Sequence, residues 1–475
     1  MSFFPPDSAI NRKLIGPFCC NLPREREQNV TGRSKRRKDL LLAGWPLIAA
    51  NVATVGLQLG DAWITSRLGT VALASLAVPG LFLFTMMSFG QGYSLPLISR
   101  FATQSQRPPV RHAAAQAGIL AALGIVIALL GTFMANPALG AFQHPIQLLE
   151  MEVVYLKLGL FATAMKFGSF VIAAFFIAIQ RTTLVLAVGL STVTLNLGLS
   201  FGLTTDAFGL PNVGFVGVAI GTLVACFSEL LIFSLCLWNL SRNGSCLVCL
   251  SIPIDRRGKR IAVFDQLRVG FPAGLHGAVD VIAWGAILLW FVGQFGSDHL
   301  AAATVLIRLM QVSFLPAEGI AIALVGFLGK SNRSSNARRY TNSAFNLIGS
   351  YMALCACAFL AFRTPLSSYL TESASVARIV ADCILFVCVF QIFDAMNITF
   401  SSALLGTGDT AWPAAINFLL LVTILLGGGY TVIRFFPQLK STGIWIVVMI
   451  YVASQGLLFY YRWNRNITTQ NKIAS

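Results

Sequence analysis

The sequence predicts an all-α polytopic membrane protein: twelve transmembrane helices in two six-helix lobes, related by a pseudo-two-fold axis along the membrane normal. Three observations predict it. The 475 residues are 56% hydrophobic with mean hydropathy +0.74, and only 11% are charged, against about 25% in a soluble domain. The apolar residues gather in runs of about twenty, the length that crosses a bilayer as a helix. The second half of the chain also repeats landmarks of the first.

The runs lie at 39–66, 72–99, 111–134, 147–180, 182–204, 214–239, 261–294, 300–328, 338–362, 374–405, 411–434 and 442–463. Several exceed the bilayer minimum, so tilt or protrusion is expected. Charge supports the count. Of the 34 Lys and Arg residues, Arg67, Arg363, Arg378, Arg434 and Lys440 fall on the far side, and Lys157, Lys166 and Arg308 fall inside spans. The rest lie in the tails and loops on the N-terminal side, or at span ends there. Basic loops stay in the cytoplasm, so both termini are expected to be cytoplasmic.

A net charge of +16 would suggest nucleic acid in a soluble protein. Here the strongest basic cluster, RSKRRK at 33–38, directly precedes the first span. It reads as a flank on anionic membrane lipid, with no nucleic-acid partner. The expected organisation is a basic tail at 1–38, an N-lobe at 39–239, an inter-lobe linker at 240–260, a C-lobe at 261–463 and a C-terminal tail at 464–475. The tail has no apolar h-region, so no cleavable signal peptide is read. The expectation is a monomer in a bacterial inner membrane. Of ten cysteines, only Cys246 and Cys249 form a CxxC, and no second pair completes a metal site or a disulfide framework.

The repeat has an offset of 226–227. Gly44 and Pro46 recur as Gly270 and Pro272, and Gly69, Leu73 and Ala74 as Gly296, Leu300 and Ala301. Gly92 recurs as Gly319, Arg111 as Arg338 and Gly217 as Gly443. Six spans per half mean that both halves enter the membrane in the same direction. Parallel repeats of this kind build transporters around a central cavity.

Polar residues form stripes inside the spans. Asn51, Thr54, Gln58, Asp61 and Thr65 are spaced three or four apart, which places them on one helix face. A carboxylate at mid-membrane costs roughly 2.5–3.5 kcal/mol on insertion scales, so Asp61 requires a compensating role. Pro46 removes a backbone hydrogen bond earlier in that helix and can bend it. His276 and Asp280 share a face of span 7. Thr304, Arg308, Gln311 and Glu318 share one in span 8, Gln391, Asp394, Asn397 and Ser401 one in span 10, and Thr192, Asn196 and Ser200 one in span 5. Such polar residues can simply join helices; for the buried carboxylates a functional reading is favoured. Arg308 reads as a counter-ion to Asp280 or Asp394, with substrate contact as the alternative. Lys166 reads as half of a structural salt bridge, and Glu229 and Glu318 as solvated groups near span ends. His276 lacks companion ligands and reads as a satisfied interior histidine.

Over about 39–463 the chain resembles the multidrug and toxic compound extrusion (MATE) transporters. The resemblance rests on Pro46 and Asp61 with Arg67-Leu68-Gly69, on GFPAGLHGAVD at 270–280 and LAAATVLIR at 300–308, and above all on FDAMNITFSSALLGTGDT at 393–410. It implies export of lipophilic organic cations by antiport with H⁺ or Na⁺, and no resident cofactor. By resemblance, Asp61 is the N-lobe coupling carboxylate, and Asp280 and Asp394 are the C-lobe acidic pair, where Na⁺ could bind. Many relatives carry Glu at the position of Asp280. Asn196 occupies a position that is Asp in one branch and Asn in another. Asn51, Thr54, Gln58, Thr192, His276, Arg308, Gln391 and Asn397 are then expected to line the substrate cavity. A lipid-linked oligosaccharide flippase of the same superfamily is the alternative, with Arg308 and Lys166 suited to a pyrophosphate. An enzyme is not expected: four histidines and no HExxH or GxSxG offer no catalytic cluster.

Overall fold

The computed structural model describes residues 32–103, 110–141, 144–205, 207–242, 256–331, 334–371 and 373–474. Most of the expected tail, the linker between 243 and 255, and the Cys246–Cys249 motif lie outside these residues. The described residues contain twelve helices long and apolar enough to cross a membrane. They are α1 (Arg33–Ser66), α2 (Val71–Thr103), α3 (His112–Gly140), α4 (Ile146–Ala178), α5 (Thr182–Thr205) and α6 (Val216–Arg242) in the first half. The second half holds α7 (Gln266–Gly293), α8 (Ser297–Gly329), α9 (Ser335–Ala361), α10 (Ala374–Gly406), α11 (Ala411–Phe435) and α12 (Pro437–Thr469).

The spans expected from the sequence match these helices, but the ends differ. α1 begins at Arg33, so RSKRRK is its first turns rather than part of a tail. Lys and Arg are good helix formers, and a helix can protrude beyond the hydrocarbon. α12 likewise runs past 463. Pro46 sits within an unbroken α1. α7 and α11 each contain one π-helical stretch, at Ile282–Ile287 and Leu421–Leu426.

Each half packs into its own lobe. α4 packs on α2, α3 and α6, and α5 on α1 and α6; α10 packs on α8, α9 and α12. The N-lobe core is aromatic, with Phe101, Phe167, Phe175, Phe176 and Phe233 almost fully buried, and the C-lobe core holds Phe291, Phe390, Trp445 and Tyr451. The lobes meet along α2–α7 and α1–α8. At the end carrying both termini the two cores interpenetrate. Ala323 and Val325 of α8 join the N-lobe core, and Leu40 of α1 packs with Leu324, Phe400, Phe459 and Trp463.

The repeat is visible in backbone geometry. Gly69 and Gly296 precede equivalent helices with φ of 110° and 107°, a conformation that favours glycine. Gly92 and Gly319 mediate the close approach of the lobes. A Cβ on Gly92 would lie 2.5 Å from Ala273 O, and one on Gly319 would lie 2.8 Å from Ile48 N. The same Cβ on Gly92 would lie 3.2 Å from Gly274 Cα; Gly319 is 227 residues beyond Gly92, and Gly274 is 226 beyond Ile48. The inter-lobe contacts are therefore themselves related by the pseudo-two-fold axis.

Candidate functional site between and within the lobes

The facing surfaces of α1 and α8 make contact on the termini side. Gly44 lies against Ile320, and Gly319 against Ile48. One step further, Asn51 Nδ2 donates to Leu315 O at 3.5 Å and to Glu318 Oε2 at 3.4 Å. Gln91 Nε2 of α2 donates to the other Glu318 oxygen at 3.1 Å. Below this level, Arg100 bonds Gln266 at 2.8 Å and Thr103 Oγ1 donates to Gly329 O at 2.9 Å. Glu318 was expected near a span end in water. It is instead half-buried in the body of α8 and held by two carboxamides of the opposite lobe.

Beyond Asn51 the same stripes are open. Thr54 and Gln58 on α1 are exposed, as are Thr304 and Arg308 on α8. Leu59 and Val312 are 51% and 57% exposed. On this side the lobes form a cleft that opens away from the termini, while α2 and α7 stay together as far as Leu81 and Gly285. Arg308 forms no ion pair with Asp280 or Asp394, so the counter-ion expectation is corrected. Its side chain lies on the α1-facing stripe of α8 rather than on the face buried in the C-lobe, which carries Leu306, Met310 and Ser313.

Asp61 lies one turn beyond Gln58 on the polar face of α1. It is half-buried, and its Oδ1 is shielded from solvent without a hydrogen-bond partner. It is close enough to Tyr155 and Cys226 to interact electrostatically with both. Further inside, Lys166 of α4 is ion-paired with Glu229 of α6. Glu229 is 5% exposed, which corrects its expected place near solvated span ends: Lys166 neutralises it within the lobe. Asn196 is buried and satisfied by its neighbours. Its Nδ2 donates to Thr222 Oγ1 at 3.0 Å, and its Oδ1 accepts from Ser200 Oγ at 3.3 Å. It has no hydrogen bond to Asp61. Thr192 bonds its own helix at Val188 O.

The C-lobe holds a polar network centred on a residue the sequence reading missed, Asn417 of α11. Its Nδ2 donates to Asp280 Oδ1 at 2.8 Å and lies 2.7 Å from His276 Nδ1. Its Oδ1 accepts from Tyr451 OH at 2.7 Å and from Gln455 Nε2 at 2.6 Å. A lone Asn within an apolar span was the available signal. Asp394 is buried, receives Asn397 Nδ2 at 3.4 Å and lies within electrostatic range of Asp280. Gln391 donates to Ser313 Oγ at 2.7 Å. Thr192, His276 and Gln391 were expected to line the cavity, but they are buried at 7%, 5% and 1% exposure. Helix packing has turned their faces into the lobes. Among the described residues, no three His, Cys, Asp or Glu side chains converge on a metal-sized site.

The GTGDT turn has a structural partner. Gly408 has φ 87°, and Asp409 accepts from Arg462 Nε and Asn466 Nδ2 of α12, each at 2.8 Å.

The MatE family's sequence model matches residues 46–201 and 279–428. The probable multidrug resistance protein NorM of Agrobacterium fabrum is 23% identical over 450 residues, covering 92% of this chain and 95% of that one. Its counterpart in Mesorhizobium japonicum is 26% identical over 465 residues, covering 91% and 94%. The bent form of the Vibrio cholerae MATE transporter VcmN superposes with a TM-score of 0.79 at 17% identity, covering 92% and 98%. A MOP superfamily transporter from Pyrococcus furiosus, described as having a binding pocket of reverse polarity, superposes with 0.80 at 16%, covering 92% and 97%. These structural likenesses are of fold. With the sequence match spanning most of both lobes, this chain belongs to the MatE family.

Proposed function

We propose that the protein exports lipophilic organic cations by antiport with H⁺ or Na⁺, and that Asp61 is the residue at which cation and substrate exclude one another. One observation carries this reading: a carboxylate oxygen inside a membrane helix, shielded and without a partner, one helical turn from the exposed Gln58. A buried acceptor left unsatisfied is costly. A proton, a sodium ion or a cationic substrate would each satisfy it, and a site that holds one at a time couples their opposite movements.

One-for-one exchange of monovalent cations moves no net charge, so the membrane potential cancels and the ion's concentration gradient drives export: a tenfold ion gradient, about 1.4 kcal/mol, supports an about tenfold solute gradient. A second inward cation per solute would add about 2.3 kcal/mol per 100 mV. Asp280, Asp394 and Asn397 form a second acidic centre, in which Na⁺ would find oxygen ligands. The relatives named for multidrug resistance support the substrate class. The flippase alternative is weakened because Lys166 is taken by Glu229, leaving no second free cation from that residue for a pyrophosphate.

The test is ethidium efflux from energised, drug-sensitive bacterial cells at matched expression of wild type and Asp61→Asn. Export by the wild type, abolished by a protonophore and lost in the variant, is the expected result. Undiminished export by Asp61→Asn would move coupling to Asp280 and Asp394.

A further inference from the structure

Arg308 is not used by the coupling scheme above. It lies eleven residues, three helical turns or about 16 Å, from Gly319, and so on the stripe of α8 that faces α1. α1 and α8 run antiparallel. Stepping from the contacts Ile48–Gly319 and Asn51–Leu315 toward the open end therefore brings Gln58 and Leu59 opposite Arg308. All three are exposed. At this level Gly60 of α1 packs directly on Leu197 of α5, within its own lobe. Thr304 and Gln311, one turn either side of Arg308, extend the polar surface.

A guanidinium within a membrane helix persists where water or a ligand meets it. It carries five donors in a planar fork that matches a carboxylate or a phosphate. We propose that Arg308 takes the anionic group, a carboxylate or a phosphate, of an amphipathic solute in the α1–α8 cleft. Leu59 and Val312 would meet the apolar body of that solute. Asp61, one helical turn along α1 from the exposed Gln58, gives the N-lobe side a negative pole, so zwitterions and amphipathic anions fit as well as cations. The inference deepens the export reading and rests on it for the cleft as the substrate path.

The test uses the full-length protein in lipid nanodiscs and two xanthene dyes of similar shape and opposite charge, carboxyfluorescein and rhodamine 123. Binding is read by fluorescence anisotropy. Arg308→Gln is expected to weaken carboxyfluorescein about tenfold or more, while Arg308→Lys, which keeps the charge but loses the fork, weakens it less. Rhodamine 123 still binds to Arg308→Gln, which establishes that the variant is folded, and loses affinity in Asp61→Asn. Nanodiscs with and without phosphatidylglycerol separate the two sources of the anion. If this lipid displaces the dye from wild type, the natural ligand is a lipid headgroup; if it does not, the ligand is a free solute. Both results support the proposal. Carboxyfluorescein bound equally by wild type and Arg308→Gln, or not bound at all while rhodamine 123 binds, overturns it and leaves the export of cations standing. Arg308-dependent binding of carboxyfluorescein without any binding of rhodamine 123 supports the inference and overturns the cation reading instead.

Discussion

Gln91 and Glu318 stand 227 residues apart and are hydrogen-bonded at 3.1 Å. That separation equals the repeat offset, so the two residues occupy equivalent positions in the two halves. Equivalent residues can touch only on the axis that relates the halves. The Gln91–Glu318 bond therefore marks the pseudo-two-fold axis, and Asn51 adds a second bond to the same carboxyl group. Thr103 and Gly329, 226 apart and so one residue from equivalence, meet close to the axis nearer the termini.

Closure on the termini side should depend on this carboxyl group. Hydrogen bonds to a charged partner contribute about 1.5–3 kcal/mol. Glu318→Leu is expected to shift the population at least about tenfold toward opening on that side. Double electron–electron resonance between labels at the termini-side ends of α2 and α8 would detect the longer distance. An unchanged distance distribution would remove Glu318 from the closing interface.

The paired glycines make a sharper demand. A methyl group on Gly92 meets the carbonyl of Ala273, and one on Gly319 meets the backbone of Ile48. Backbone cannot yield as a side chain can, so Gly92→Ala and Gly319→Ala should each give folded protein that transports poorly. Gly56→Ala, with nothing within 4 Å of the added atom, should transport as wild type does. Efflux rates at matched membrane abundance compare the three.

Lys166, its side chain 24% exposed, and Glu229, at 7%, form a largely buried pair inside the N-lobe. Removing one partner from such a pair typically costs about 3–5 kcal/mol, whereas replacing both by apolar residues is often neutral. Lys166→Met should lower the melting temperature in detergent markedly, and Lys166→Met with Glu229→Leu should restore most of it. Failure of the double variant to recover would mean that the charges do more than neutralise each other.

Asn417 serves four side chains at once. Tyr451→Phe removes one of its bonds and should cost about 1 kcal/mol. Asn417→Leu leaves Asp280, His276, Tyr451 and Gln455 each short of a partner, so its loss of thermal stability should be several times larger. Comparable melting temperatures for the two variants would argue against a hub.

Much of this architecture was legible in the chain. Run length located the spans because an isolated bilayer crossing leaves few other solutions for the backbone. The preserved order of Gly44, Gly92, Gly270 and Gly319 marked the repeat, and these glycines prove to be the surfaces on which the lobes meet. The stripes were legible as faces, but not as destinations. His276, Gln391 and Thr192 share faces with cleft-side expectations yet turn inward. Periodicity fixes the angle between side chains on one helix, not the rotation of that helix against its neighbours.

Partners behaved in the same way. Lys166 and Glu229 lie 63 residues apart, and Asn417 reaches His276 across 141; no local pattern joins either pair. The sequence by itself determined the membrane class, the span count, the doubled plan and the charges buried within it, because these follow from hydropathy and order along the chain. Only the tertiary structure decided which charges cancel, which carboxylate oxygen stays without a partner and which cation faces the cleft. Those outcomes depend on how twelve helices rotate against one another, and that rotation is set by packing summed over both lobes.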